Sequence, residues 1–136
     1  MIRQPAAVLA VLCTLVGASV ASAAEIPLAS VTANSVLVDR AKGITYGPEN
    51  VMNAKAGSMW VEGESSSGLG KYIEFVFAGE VEVHSLRIFG GCFVDADFWK
   101  RHNRVKSLEF KYADFTSEKI ELKDVMEGQL IKLAAP

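Results

Sequence analysis

The sequence predicts an all-β domain of the kind found in sandwiches and jelly rolls, and three observations carry that prediction. Apolar side chains recur with a period of two in short runs, as in Ile73, Phe75 and Phe77 against Glu74, and in Leu108, Phe110 and Tyr112 against Glu109 and Lys111. About six or seven such runs follow one another at spacings near ten residues, divided by Gly, Ser, Asp and Asn. No stretch of the mature sequence holds a helical period long enough to build a core helix.

The chain has 136 residues, which allows one domain, and its first twenty-odd residues stand apart from it. Arg3 supplies a positive start, Ala6 to Val20 is mostly apolar, and Ala21-Ser22-Ala23 is an A-x-A cleavage site. This is the pattern of a signal peptide over residues 1–23, and the apolar run is short for a membrane span. The expected location is therefore secreted or periplasmic. The formal charge is −2, and losing Arg3 makes it more acidic, so nucleic acid and anionic membrane surfaces are not expected partners. Cys13 would leave with the leader, and Cys92, between Gly91 and Phe93, reads as a small buried hydrophobe in a domain without an internal disulfide.

Along the remaining chain, Ala24 to Ala33 is small and polar without period and reads as a flexible leader (residues 24–34), with the sandwich domain over 35–136. Ser35 to Val38 alternates weakly. Pro48 opens a single helical turn through Val51 and Met52. Gly57 to Gly70 is loop around a short extended piece, in which Trp60, between Met59 and Val61, belongs to the core. A strand over Lys71 to Phe77 follows. The apolar phase of Val81 and Val83 is one residue out of step with Leu86 and Ile88, which predicts a bulge or a break near His84-Ser85. After a long decorated segment come a strand over Lys106 to Tyr112, a short one through Ile120 and Leu122, and a last one from Leu130.

In this order, Asn50-x-x-Asn53, Ser58-Met59-Trp60-Val61-Glu62-Gly63, Gly68-Leu69-Gly70-Lys71-Tyr72-Ile73, Leu86-x-Ile88-x-Gly90-Gly91 and Asn103-Arg104-Val105-Lys106 resemble the discoidin-like, galactose-binding-type jelly roll. More narrowly, they resemble the bacterial NADase-type glycan-binding domain, the NAD glycohydrolase translocation family. The resemblance covers roughly Pro48 to Leu133 and implies a secreted carbohydrate-binding module. Two departures matter. The family's acidic turn is replaced by Asn53-Ala54-Lys55-Ala56-Gly57, which removes carboxylate ligands from a calcium site there, so no cofactor is expected. The family also runs further than Pro136, so the sandwich is expected to lack its last strand or strands and to show an open edge.

Catalytic patterns are weak. Cys92 has His84 and His102 as conceivable bases but no third orienting group in a motif. Ser65 to Ser67 lack a nucleophile elbow. Asp95-Ala96-Asp97 has no nucleotide-binding α/β domain around it. Glu62 and Glu64, two apart in a Gly-Ser loop, do not fix the separation that glycoside hydrolysis needs, and read as solubilising. The expectation is a protein that is not an enzyme.

Sugar binding asks for an aromatic platform and a few hydroxyl partners on loops at one end of a sheet. Val83 to Tyr112 offers them: Phe98 and Trp99 as platforms, Asp95, Asp97, His102 and Asn103 as hydroxyl partners, and Arg104 as partner or clamp. The other reading has Trp99 plugging one end of the sandwich and Arg104 paired with Asp97. The expected partner is a glycan or cell-surface saccharide; the alternatives are an envelope module that docks a protein, or the accessory domain of a secreted hydrolase whose catalytic part is absent from this chain.

Overall fold

The structure is a computed structural model and describes residues 7–12, 28–53, 55, 57–65 and 67–134, the first of these as backbone only. The cleavage site at Ala23 and the chain end at Pro136 lie outside the described residues. Strands dominate: β1 Ala7–Leu12, β2 Leu28–Ala33, β3 Leu37–Asp39, β4 Ile44–Tyr46, β5 Trp60–Val61, β6 Ile73–Phe77, β7 Ser85–Phe89, β8 Asn103–Arg104, β9 Ser107–Lys111, β10 Ser117–Glu121 and β11 Gln129–Lys132. A 3₁₀ turn over Pro48–Met52 and one helix, α1 Ala96–Arg101, complete the described elements. The all-β reading holds. No helix among the described residues is long and apolar enough to cross a membrane.

The central sheet runs β11-β7-β1-β5, with β8 also paired to β1, and β9–β10, β2–β6 and β3–β4 form antiparallel pairs. Ile88 and Leu86 of β7 and Trp60 of β5 form the core with Val51 and Leu122. Half-buried Ile73, Phe75, Leu108, Phe110 and Ile120 from the paired strands close over it. The period-two faces of β6 and β9 therefore do what their spacing predicts, alternating half-buried and exposed positions. The expected phase change before Leu86 is resolved as a break: residues 81–84 are outside any strand and β7 starts at Ser85.

Three expectations change. The segment read as a flexible leader contains β2, which pairs with β6 from Leu28↔Phe77 to Ala33↔Ile73. A register shift between Leu28 and Ser30 hides its apolar period in the sequence. Asn34 then fastens the pair, donating from Nδ2 to the Gly70 carbonyl and accepting from the Tyr72 N–H. The segment read as one long loop contains α1 and β8. Glu62, read as solubilising, is buried at 1% exposure. Gly63 lets this happen, because a Cβ there would stand 2.4 Å from the Val36 carbonyl oxygen. Pro48–Met52, though a single turn, supplies Val51, exposed by 1%, to the core. Trp60 is buried as expected and its indole N–H donates to the Ser35 carbonyl at 2.8 Å.

Candidate functional site

The site grows from the cap of α1. Asp95 has extended backbone, and its carboxylate accepts from the Asp97 and Phe98 N–H groups at 2.9 and 2.8 Å, the geometry of an N-cap. Its side chain is thus engaged in starting the helix. Lys100 and Arg101 fill the last turn, where cations complement the helix dipole. His102 ends the helix, its N–H and its Nδ1 both directed at the Phe98 carbonyl. The His102 ring stacks on Phe98 at 5.4 Å with an interplanar angle of 3°, and the Arg101 guanidinium lies 5.0 Å from the same ring centre.

Trp99 faces inward. Its ring covers Gly91, where a Cβ would come within 2.4 Å of Trp99 Cζ3, and it packs edge-on against Phe93 at 5.0 Å, which in turn packs on Phe89 at 5.1 Å. Arg104 closes the other side, its guanidinium 5.1 Å from the Trp99 ring. That guanidinium donates to the Trp99 and His102 carbonyls at 2.9 and 3.1 Å and forks onto both carboxylate oxygens of Asp124. The clamp expected with Asp97 is therefore made with Asp124, which lies in the turn between β10 and β11. Hydrogen bonding to Asp124 raises the Arg104 pKa, and the same bond, with the adjacent positive charge, holds the Asp124 carboxyl below its usual range.

Beside this clamp lies a pocket of about 470 Å³ lined by Lys100 to Lys106, Leu122 and Asp124. His102, Asn103 and Arg104 of the expected site residues line it, whereas Asp95, Asp97, Phe98 and Trp99 do not. Lys100, Arg101, Lys106 and Asp124 were not among the expected residues. The signal for the cations was present as a basic run, Lys100, Arg101, Arg104 and Lys106, in an acidic chain; Asp124 comes from a turn remote in sequence. Among the described residues neither Lys100 nor Lys106 has an ion pair, and Arg104 is matched by Asp124, so the wall carries an excess of positive charge.

Elsewhere, Cys92 is buried at 3% exposure with Met59 and Val61, away from any nucleophile's need for access. Glu62 Oε2 accepts from the Glu64 N–H at 2.9 Å, and its Oε1 has no hydrogen-bond partner. The segment where a calcium site would fall does not fit one: the Asn53 side-chain oxygen accepts from the Lys55 N–H, and no cluster of three or more His, Cys, Asp or Glu suits a metal among the described residues.

A family profile described as the NAD glycohydrolase translocation F5/8 type C domain matches residues 24–136. No curated protein and no solved structure matches the chain.

Proposed function

Because the chain belongs to the NAD glycohydrolase translocation F5/8 type C domain family, an accessory module of discoidin type, we propose that it is an exported, non-enzymatic module that binds saccharide in the pocket beside α1. The observation that carries this reading is the pocket itself, which brings Lys100, Arg101 and Lys106 together with His102 and Asn103 in one lining. Such a wall suits a sugar that bears carboxylate or sulfate groups, since the cations meet the acid and the polar side chains among them meet hydroxyls. Trp99 is spent on Gly91, Phe93 and Arg104, so it acts by holding the wall and not as an open stacking face.

A glycan array with neutral, uronate-bearing, sialylated and sulfated saccharides tests the proposal. Acidic saccharides are expected to bind, with signal lost in Lys100→Ala/Lys106→Ala and weakened by added salt, because exposed charges are screened over roughly 10 Å at 0.1 M ionic strength. Absence of any saccharide signal above background for the wild-type protein would refute it.

A further inference from the structure

The family match begins at residue 24, yet the strand that joins the central sheet is Ala7–Leu12. It lies antiparallel to β7 through Ala10↔Phe89, Val11↔Ile88 and Leu12↔Arg87. It is antiparallel to β5 through Val8↔Val61 and Leu9↔Trp60, and parallel to β8 through Ala7↔Asn103 and Val8↔Arg104. Among the described residues, β5 and β7 are deeply buried, with Ile88 at 0%, Trp60 at 4%, Val61 at 5% and Leu86 at 8% exposure, whereas β8 is exposed at Asn103 and half-buried at Arg104.

Removing β1 leaves β7 and β5 without a shared ladder, because each pairs with β1 and not with the other. The backbone N–H and C=O groups along that groove would then sit unpaired beside the core, which costs stability wherever water does not reach them. Cleavage after Ala23 would do this. The four residues 24–27 that precede β2 are too few to refill a groove that takes six, and β2 itself is committed to β6. In a second processed copy, β2, β3, β4, β6, β9, β10 and β11 keep the partners they have, and β8, which loses β1, is only two residues long and too short to fill the groove. Val8 is paired on both sides, with Val61 of β5 and Arg104 of β8, whereas Ala10, Val11 and Leu12 pair with β7, and the segment laid along these strands is continuously apolar, Ala-Val-Leu-Ala-Val-Leu.

We infer that the groove between β7 and β5 is a strand-acceptor site, filled by Ala7–Leu12 before the leader is removed and afterwards by an extended apolar segment of a partner protein running antiparallel to β7. Main-chain pairing supplies the affinity and the buried flanks select apolar side chains. The inference rests on leader removal and is independent of the saccharide pocket.

The test uses the full chain with a site-specific protease sequence introduced after Ala23 and cut in the folded state. The probe is a fluorescent peptide of residues 7–12 flanked by lysines. The cut leader is expected to stay associated until excess probe displaces it, and the bound probe should protect the amides of Arg87, Ile88 and Phe89 from hydrogen exchange. A Leu9→Pro probe, which loses a ladder donor, should compete at least about tenfold less well. The inference falls if the cut leader departs and the remaining chain stays monomeric with an unchanged thermal midpoint, since the groove then closes by itself. It also falls if the cut chain dimerises and excludes the probe, or if the Leu9→Pro probe competes equally.

Discussion

Arg104 shows how one side chain can organise a site whose parts are remote in sequence. It ties the end of α1 to the turn after β10 by binding the Trp99 and His102 carbonyls on one side and Asp124 on the other. Arg104→Ala should cost about 1–2 kcal/mol, from lost packing on Trp99 as much as from lost charge, whereas Asp97→Asn should stay within about 0.5 kcal/mol. Urea unfolding of the two variants measures both, and equal costs would restore the Arg104–Asp97 pairing that sequence alone leaves open. Chemical type was legible here and partner was not, because Asp124 lies 20 residues away and Asp97 only seven. Tyr112 gives a second residue-scale test. Desolvation, followed by its hydrogen bond to Glu118, pushes its pKa up to about 12 from 10.0. The folded state thus favours the neutral phenol, so this contribution is whole below the unfolded-state pKa and is lost as pH rises through the folded one. Wild-type stability should decline between about pH 10 and pH 12, and Tyr112→Phe should flatten that decline in denaturant titrations across the same window.

At the scale of elements, α1 decides whether the pocket exists. Its six residues cannot hold a helix in isolation, so the Asp95 cap and the packing of Trp99 on Gly91 must supply the stability. Asp95→Ala should destabilise by about 1 kcal/mol and weaken the proposed saccharide binding without touching the pocket wall, while Asp95→Asn should retain most of both. Thermal unfolding and array signal, read together, check this; loss of binding without loss of stability would make Asp95 a ligand contact. The same logic explains which elements the sequence reveals. In β6 and β9 the alternation is uninterrupted and one face is wetter, so period and burial agree. In β2 the register shift breaks the period, and in α1 six residues are too few for a helical repeat to stand out. Asp95, Asp97, Lys100 and Arg101 look like a decorated loop until the cap is seen; then the acids mark the first turn and the cations the last.

For the whole molecule, stability converges on the few side chains that join β5, β7, the 3₁₀ turn and Leu122. Ile88 stands at their centre, fully buried on the strand that pairs with both β1 and β11. Ile88→Ala should cost about 2–5 kcal/mol through lost transfer energy and the cavity left behind. That is a large part of the 5–15 kcal/mol typical of a domain, so the variant should sit close to the edge of folding. The two tryptophans make the outcome readable by region, since Trp60 lies in this core and Trp99 packs beside the pocket. In an Ile88→Ala, Trp99→Phe background, fluorescence reports Trp60; in Ile88→Ala, Trp60→Phe it reports Trp99. If one cooperative core carries the fold, each fluorescence transition should coincide with far-ultraviolet circular dichroism in the same variant, with the midpoint lowered and the denaturant slope unchanged. A Trp99 transition that survives after the dichroism is lost would instead mean that α1 and its clamp form a unit stable apart from the core.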